Sequence, residues 1–213
     1  MPAFSQIAHP LTAINGAHDP RDSLIPETDA MARILVLSAS YHGQTAKIAS
    51  RVKEVLSRMG HVVTLRSAIE PDAAADLGAH DAVVIGAAIH RGNHHKAVAA
   101  LVRKHIALLR SRPNAFFSVS LSAAGDARQQ GIARRMLEKF LTATGWHPDE
   151  TATFAGALQY RQYHLPLRLM MRFIATFAGR DTDSSRDYEY TDWAEVERFA
   201  TRFGARIPAA KAA

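Results

Sequence analysis

The chain has 213 residues and no cysteine, so it forms neither disulfides nor thiolate metal sites nor a cysteine-linked flavin. It contains no run of about 18 apolar residues, so the pattern predicts no membrane-spanning helix. Its 26 Lys and Arg residues against 20 Asp and Glu residues give a net charge of +6, which predicts an anionic partner. Nucleic acid, an acidic membrane surface and a carboxylate substrate all meet that description.

The first 30 residues lack hydrophobic periodicity and contain four prolines, so we predict a disordered N-terminal extension over residues 1–30. They also lack the uninterrupted apolar core of a secretory signal. Met31 stands immediately before the first predicted strand, and one hypothesis is that the natural start lies there. We assign residues 31–205 to one domain and residues 206–213 to a second disordered tail.

The domain begins with the apolar run 34–37, which is typical of a strand buried on both faces of a parallel sheet. Small and polar residues follow, and then apolar residues at helical spacing up to Met59. A strand, a hydroxyl-rich loop and a helix start together form an anion-binding arrangement, because backbone N–H groups and the positive end of the helix dipole converge there. Ser40 and Thr45 can add hydroxyl donors. The alternative is that Ser40 or Thr45 only caps an ordinary helix.

The loop contains one glycine, so it is neither the dinucleotide fingerprint nor a nucleoside-triphosphate loop. The pattern Ser40-x-x-Gly43-x-Thr45 instead matches the phosphate loop of flavodoxins, which holds the single phosphate of FMN. We therefore expect a ligand with one phosphate group at this loop.

Strands and helices alternate along the rest of the domain. We predict strands at 61–65, 81–86, 115–121 and 151–158 and helices at 94–110 and 128–142. A last helix begins within Tyr190-Thr191-Asp192-Trp193, with Thr191 as its cap, and runs to about 203. This alternation predicts an α/β fold, a flavodoxin-like three-layer sandwich with a five-stranded parallel sheet in the order 2-1-3-4-5. Its ligand site lies beyond the C-terminal ends of strands one and three, where the loops 38–45 and 87–93 meet.

A helical insert of about 158–187 separates the fifth strand from the last helix. Residues 151–180 contain four arginines and no acid, and residues 165–178 predict a helix. Its polar stripe recurs every four residues at His164, Arg168, Arg172 and Thr176. This helix is too short to span a bilayer, at about 1.5 Å per residue, but it could lie in the membrane interface. The alternative is a helix packed on its own domain with a solvated arginine face.

Four motifs between Ala32 and Phe203 resemble the flavodoxin-like, quinone-dependent protoporphyrinogen oxidases of bacteria. They are Ser40-x-x-Gly43-Gln44-Thr45, Val84-Ile85-Gly86-Ala87-Ala88-Ile89-His90-Arg91-Gly92, Ala155-Gly156-Ala157-Leu158-x-Tyr160-x-x-Tyr163 and Tyr190-Thr191-Asp192-Trp193. The first motif is shared with all flavodoxins, whereas the second, the third and the basic insert are more specific. Ala39 departs from the hydroxyl residue of many flavodoxins and removes one phosphate donor.

The resemblance implies FMN as cofactor and oxidation of protoporphyrinogen IX to protoporphyrin IX in haem synthesis. Electrons would pass to menaquinone or ubiquinone at the cytoplasmic membrane, with the protein peripheral on its inner face. The predicted FMN-binding residues are Ser40, Tyr41, His42, Gly43, Gln44, Thr45, Ala87, Ala88, Ile89, Arg91, Gly92, Ser120, Leu121 and Ser122. The predicted substrate or membrane residues are Tyr160, Arg161, Tyr163, Arg168 and Arg172. His90 is a weak candidate for proton transfer.

Two other functions use the same flavin site. A flavodoxin-type electron carrier would resemble its relatives in being acidic, which this chain is not. A flavodoxin-like quinone reductase with a nicotinamide donor leaves the insert without a role. We expect no nucleic-acid binding, since no recognisable module is present, and no zinc at His90 and His94, which lack a supporting carboxylate. A homo-oligomer is compatible with the sequence.

Overall fold

The computed structural model of the protein describes residues 31–158 and 187–208. The strands are β1 (Arg33–Ala39), β2 (Val62–Ser67), β3 (Ala82–His90), β4 (Asn93–His94), β5 (Asn114–Ser120), β6 (Glu150–Ala155), β7 (Ala157–Leu158) and β8 (Tyr188–Glu189). The helices are α1 (Gln44–Arg58), α2 (Lys96–Lys104), α3 (Ile106–Arg110), α4 (Ala127–Thr144) and α5 (Trp193–Gly204). Short 3-10 helices lie at Leu77–Ala79 and Leu121–Ala124.

The central sheet has the order β2-β1-β3-β5-β6, and each neighbouring pair in that path is parallel. This confirms the predicted flavodoxin-like order of five parallel strands. The apolar run of β1 is fully buried from Ile34 to Leu37, as expected for a strand covered on both faces. β4 pairs antiparallel with the end of β3, and β7 pairs antiparallel with β8.

Two hydrophobic clusters cover the two faces of the sheet. Successive strand side chains point to opposite faces, so Val36 lies in the first cluster and Leu37 in the second. α1 and α5 pack in the first cluster, and α2, α3 and α4 pack in the second. Ile207 is also buried in the first cluster, two residues beyond the predicted end of the domain.

Three predicted elements differ from the observed ones. β3 extends to His90, through most of the predicted exit loop, because it turns back into β4 as a hairpin. The predicted helix 94–110 is interrupted at His105, whose backbone is not helical. The predicted fifth strand ends at Ala155, because Gly156 leaves the main sheet and Ala157 pairs with Glu189 instead.

Candidate functional site

A cavity of about 300 Å³ opens at the C-terminal ends of β1, β3 and β5. The parallel register brings these ends level, since Ala39 pairs with Ala87 and Ala88 pairs with Val119. The cavity is lined by Ser40, Tyr41, His42, Gln44, Thr45, Ala88, Ile89, His90, Arg91, Gly92, Val119, Ser120, Leu121, Ser122, Met136, Gly156 and Ala157. Its place at the switch point of the sheet is the expected ligand position in an open parallel α/β fold.

Twelve of the predicted FMN-binding residues line this cavity, whereas Gly43 and Ala87 do not. Ala87 is completely buried in β3. The sequence missed Val119, Met136, Gly156 and Ala157 as lining residues. Gly156 and Ala157 stand in a motif that the sequence does show, but Met136 reaches the cavity only through the packing of α4. Which lining residues bind FMN stays a prediction.

The loop before α1 has a geometry that suits an anion. Gly43 has a left-handed backbone with φ of 88°, which favours glycine, and its N–H donates to Ser40 Oγ at 2.9 Å. No side chain caps α1, and no acidic residue stands in its first turn. Gly43 occupies the N-cap position of α1, so neither Ser40 nor Thr45 does, although Ser40 Oγ accepts the Gly43 N–H at the start of the helix. The first-turn amides of α1 lack intrahelical acceptors and lie beside the cavity, as a phosphate group requires.

A tight hairpin forms the second wall of the cavity. Arg91 and Gly92 connect β3 to β4 with φ values of 50° and 79°, which is the pattern of a type I′ turn. Glycine adopts such values freely, but an arginine in the left-handed region costs about 1–2 kcal/mol. Asn93 Nδ2 donates to the Arg91 carbonyl at 3.2 Å and helps to hold the turn. Arg91 is among the residues that line the cavity.

Four histidines lie in or beside this wall, in different environments. The His90 ring packs on Tyr41 with centroids 4.7 Å apart, and the His95 ring approaches the same tyrosine at 5.4 Å. Burial, and then the nearby His90, lowers the pKa of His42. Burial lowers the pKa of His94 to about 4, and its Nε2 lies 2.8 Å from Ser118 Oγ.

Thr191 links the start of α1 to the end of β6. Its hydroxyl donates to the Ala155 carbonyl at 2.8 Å, so it can only accept from Gln44 Nε2, also at 2.8 Å. This fixes the orientation of the Gln44 carboxamide. Gln44 is 6% exposed, and its Oε1 is buried without a hydrogen-bond partner among the described residues. Gln44 lines the cavity, and an acceptor without a partner suits a ligand hydroxyl or N–H group, such as a ribityl hydroxyl of FMN, and not a phosphate.

The same contacts correct the predicted cap of the last helix. Asp192, and not Thr191, caps α5, since its Oδ1 accepts from the Glu195 N–H at 3.1 Å. Both residue types are good caps. Thr191 does not cap the helix because its hydroxyl forms hydrogen bonds with Ala155 and Gln44 instead.

The β7–β8 pair lies next to the cavity, which Gly156 and Ala157 line. Glu189 in β8 accepts from Lys47 Nζ at 3.3 Å and from Trp193 Nε1 at 2.8 Å, which ties β8 to α1 and α5. The predicted insert helix, with Tyr160, Arg161, Tyr163, Arg168 and Arg172, lies outside the described residues. Within the described ranges, no helix has both the length and the apolar character that crossing a bilayer demands.

Comparison with known proteins agrees with this geometry. The family model "Flavodoxin domain" matches residues 35–185. The chain is 36% identical over 171 residues to "Protoporphyrinogen IX dehydrogenase [quinone]" of Escherichia coli (strain K12), covering 79% of this chain and 92% of that protein. A protein of the same name from Leishmania major is 37% identical over 129 residues, covering 61% of this chain and 56% of that protein.

Among solved structures, oxidised Flavodoxin 2 from Bacillus cereus superposes with a TM-score of 0.51 at 20% sequence identity, covering 82% of this chain and 99% of that one. This likeness supports the fold alone. The family model implies FMN as the cofactor, as predicted, and the anion-binding loop and the free Gln44 acceptor fit that group. The chain therefore belongs to the flavodoxin domain family and, within it, to the oxidoreductases named protoporphyrinogen IX dehydrogenase [quinone].

Proposed function

We propose that the protein oxidises protoporphyrinogen IX to protoporphyrin IX in haem synthesis and passes the electrons to menaquinone or ubiquinone at the inner face of the cytoplasmic membrane. The observation that carries the proposal is the switch-point cavity, with its anion-binding helix start and buried acceptor, in a chain related over most of its length to the Escherichia coli enzyme. FMN supplies two-electron acceptance, so removal of six electrons requires three rounds.

In the proposed reaction, residues of the chain bind and orient FMN and the porphyrinogen. The first-turn amides of α1, with Ser40 and Thr45, hold the phosphate, and Gln44 accepts from the polyol chain. The porphyrinogen has two propionates on an apolar macrocycle. Arg91 at the cavity wall offers a planar group that suits a carboxylate. Arg161, Arg168 and Arg172, with Tyr160 and Tyr163, are the further residues that we predict to meet the substrate or the membrane.

The test of the function is anaerobic turnover by the purified full chain. We expect a yellow protein that contains FMN and produces fluorescent porphyrin from protoporphyrinogen IX only when a quinone is supplied. An electron carrier would bind FMN without producing porphyrin. Reduction of the quinone by a nicotinamide donor, with no porphyrin formed, would instead identify a quinone reductase.

The phosphate loop is tested by replacing Ser40 and Thr45 together with alanine. Each hydroxyl bond to a charged phosphate contributes about 1.5–3 kcal/mol, so we expect FMN affinity to fall at least tenfold in a fluorescence titration. Ser57→Ala, at the exposed far end of α1, is the control and should bind FMN like the wild type. Unchanged affinity in the double variant would show that the phosphate binds elsewhere.

A separate titration tests Thr191, which does not line the cavity. Thr191→Val leaves the Gln44 amide without its acceptor, so its orientation is no longer fixed, and we expect FMN binding to weaken about tenfold. Thr191→Ser keeps the hydroxyl and should restore the affinity. Lumiflavin, which lacks the polyol chain, should bind the valine variant and the wild type equally. Weaker lumiflavin binding would mean that Gln44 bonds to the flavin ring instead.

A further inference from the structure

The charges of the described residues are divided very unevenly. Residues 91–145, which form the β3–β4 turn, α2, α3, β5 and α4, contain ten Lys and Arg residues and only two carboxylates, Asp126 and Glu138. The remaining described residues contain nine Lys and Arg residues and twelve carboxylates. The net positive charge of the described protein therefore lies in the helical layer on one face of the sheet.

The two helical layers also differ in how their cations are paired. On the α1–α5 side, Arg51 binds Glu54 and Glu197, and Lys47 binds Glu189. In the α2–α4 layer, no Lys or Arg forms an ion pair with a described residue. Arg103 and Arg110 instead donate to the carbonyls of Ala143 and Gly145 at the end of α4.

The outer face of α4 concentrates these unpaired cations. Arg128, Arg135 and Lys139 are exposed and recur at intervals of seven and four residues, which places them on one stripe of the helix. The opposite stripe packs in the second hydrophobic cluster through Leu137 and Phe140. We call the exposed stripe Arg128, Arg135 and Lys139 the α4 basic stripe.

The same helix borders the cavity. Met136 lines the cavity, and the 3-10 helix that leads to α4 contributes Leu121 and Ser122. The cavity wall at Arg91 belongs to the same basic part of the chain. A flat anionic surface against α4 would therefore lie next to the cavity.

We propose that the α2–α4 layer, through the α4 basic stripe, docks on the anionic head groups of a membrane. This inference rests on the proposed function, in which the electron acceptor is a quinone in the bilayer. Phe140, the one Phe, Tyr or Trp residue in helices α2, α3 and α4, is buried. The layer therefore offers cations without the stacking platforms that single-stranded nucleic acids use, and cations alone suit a surface of lipid phosphates.

The experiment measures vesicle co-sedimentation of the full chain loaded with FMN. We expect binding to vesicles of equal parts phosphatidylglycerol and phosphatidylcholine, weakening as salt is raised, and none to phosphatidylcholine alone. Each cation near such a surface strengthens binding about fivefold. The variant Arg128→Gln, Arg135→Gln, Lys139→Gln should therefore bind about a hundredfold more weakly.

The matched control is Arg33→Gln, Lys53→Gln, Arg58→Gln, which removes the same charge from exposed positions outside the layer. It should keep wild-type vesicle binding. Equal binding by both variants, equal loss in both, or no binding of the wild type to anionic vesicles would overturn the proposal. Loss of duplex DNA binding by the stripe variant without any change in vesicle binding would also overturn it.

Turnover with a water-soluble quinone separates this inference from the proposed function. Both triple variants should produce porphyrin at the wild-type rate under that condition, because neither set of residues lines the cavity. If both variants produce porphyrin at the wild-type rate and bind vesicles equally well, the docking surface is refuted and the proposed function still stands. If the stripe variant loses vesicle binding and none of the proteins produces porphyrin, the proposed function is refuted, whereas the anionic-surface site is supported.

Discussion

Gly86→Ala is expected to destabilise the protein by about 3 kcal/mol, as overpacking of a rigid core does. Gly86 lies in the buried centre of β3, opposite Phe117 of β5 in the parallel register. A Cβ atom at residue 86 would overlap the Phe117 ring. That ring is completely buried and packs against the rings of Phe154 and Phe199, with centroids 5.7 and 6.1 Å away, so it has little room to move.

Urea denaturation followed by circular dichroism measures this loss of stability. Gly78→Ala is the control, since a Cβ at residue 78 meets no atom within 4 Å, and it should stay within about 0.5 kcal/mol of the wild type. Gly86→Ala with Phe117→Leu should be less destabilised than the two single effects combined, because the smaller side chain makes room. Strict additivity of the two would contradict the steric explanation.

Much of the fold was predictable because its signals are local. The apolar runs of β1 and β3 and the helical spacing in α1 depend on burial, which the sequence pattern reports directly. The position of the loop before α1 beside the cavity was predictable for the same reason, since a strand end, a glycine and hydroxyl residues stand next to one another in the chain. The parallel order followed from the alternation of strands and helices.

The errors arise where tertiary contacts decide the structure. The β3–β4 hairpin was missed because its turn has Arg91 where such turns favour Asn or Gly. Neither Gly nor Pro marks the interruption at His105. Thr191 and Asp192 are equivalent caps in sequence, and only the contacts of Thr191 with Ala155 and Gln44 separate them. The Gln44 acceptor depends on a residue 147 positions away, which no local pattern reveals.

A buried histidine is expected to make the cavity wall sensitive to acid. His94 is 9% exposed, packs against the rings of Phe116 and Phe140, and pairs across the β3–β4 hairpin with Ile89, which lines the cavity. Its Nε2 bonds to Ser118 Oγ at 2.8 Å, and burial is the cause that lowers its pKa, with no carboxylate of the described residues contributing. The folded protein therefore holds His94 in its neutral form at pH 7.

Acidification should destabilise the protein through His94. The pKa of His94 falls from 6.5 to about 4 on folding, so between these values the unfolded chain binds more protons and stability decreases as pH decreases. The stabilisation is complete above pH 6.5, is lost as pH falls to about 4, and amounts to about 3 kcal/mol at about 1.4 kcal/mol per pH unit.

His94→Gln keeps a polar partner for Ser118 and removes the titration. Its stability relative to the wild type should therefore improve by about 3 kcal/mol between pH 7 and pH 4. The exposed His147→Gln control should show no such change. The measurement is urea denaturation across this pH range, with FMN affinity followed in parallel, because loosening β4 displaces the wall that contains Ile89 and Arg91. Parallel stability curves for wild type and His94→Gln would show that His94 does not couple folding to protonation.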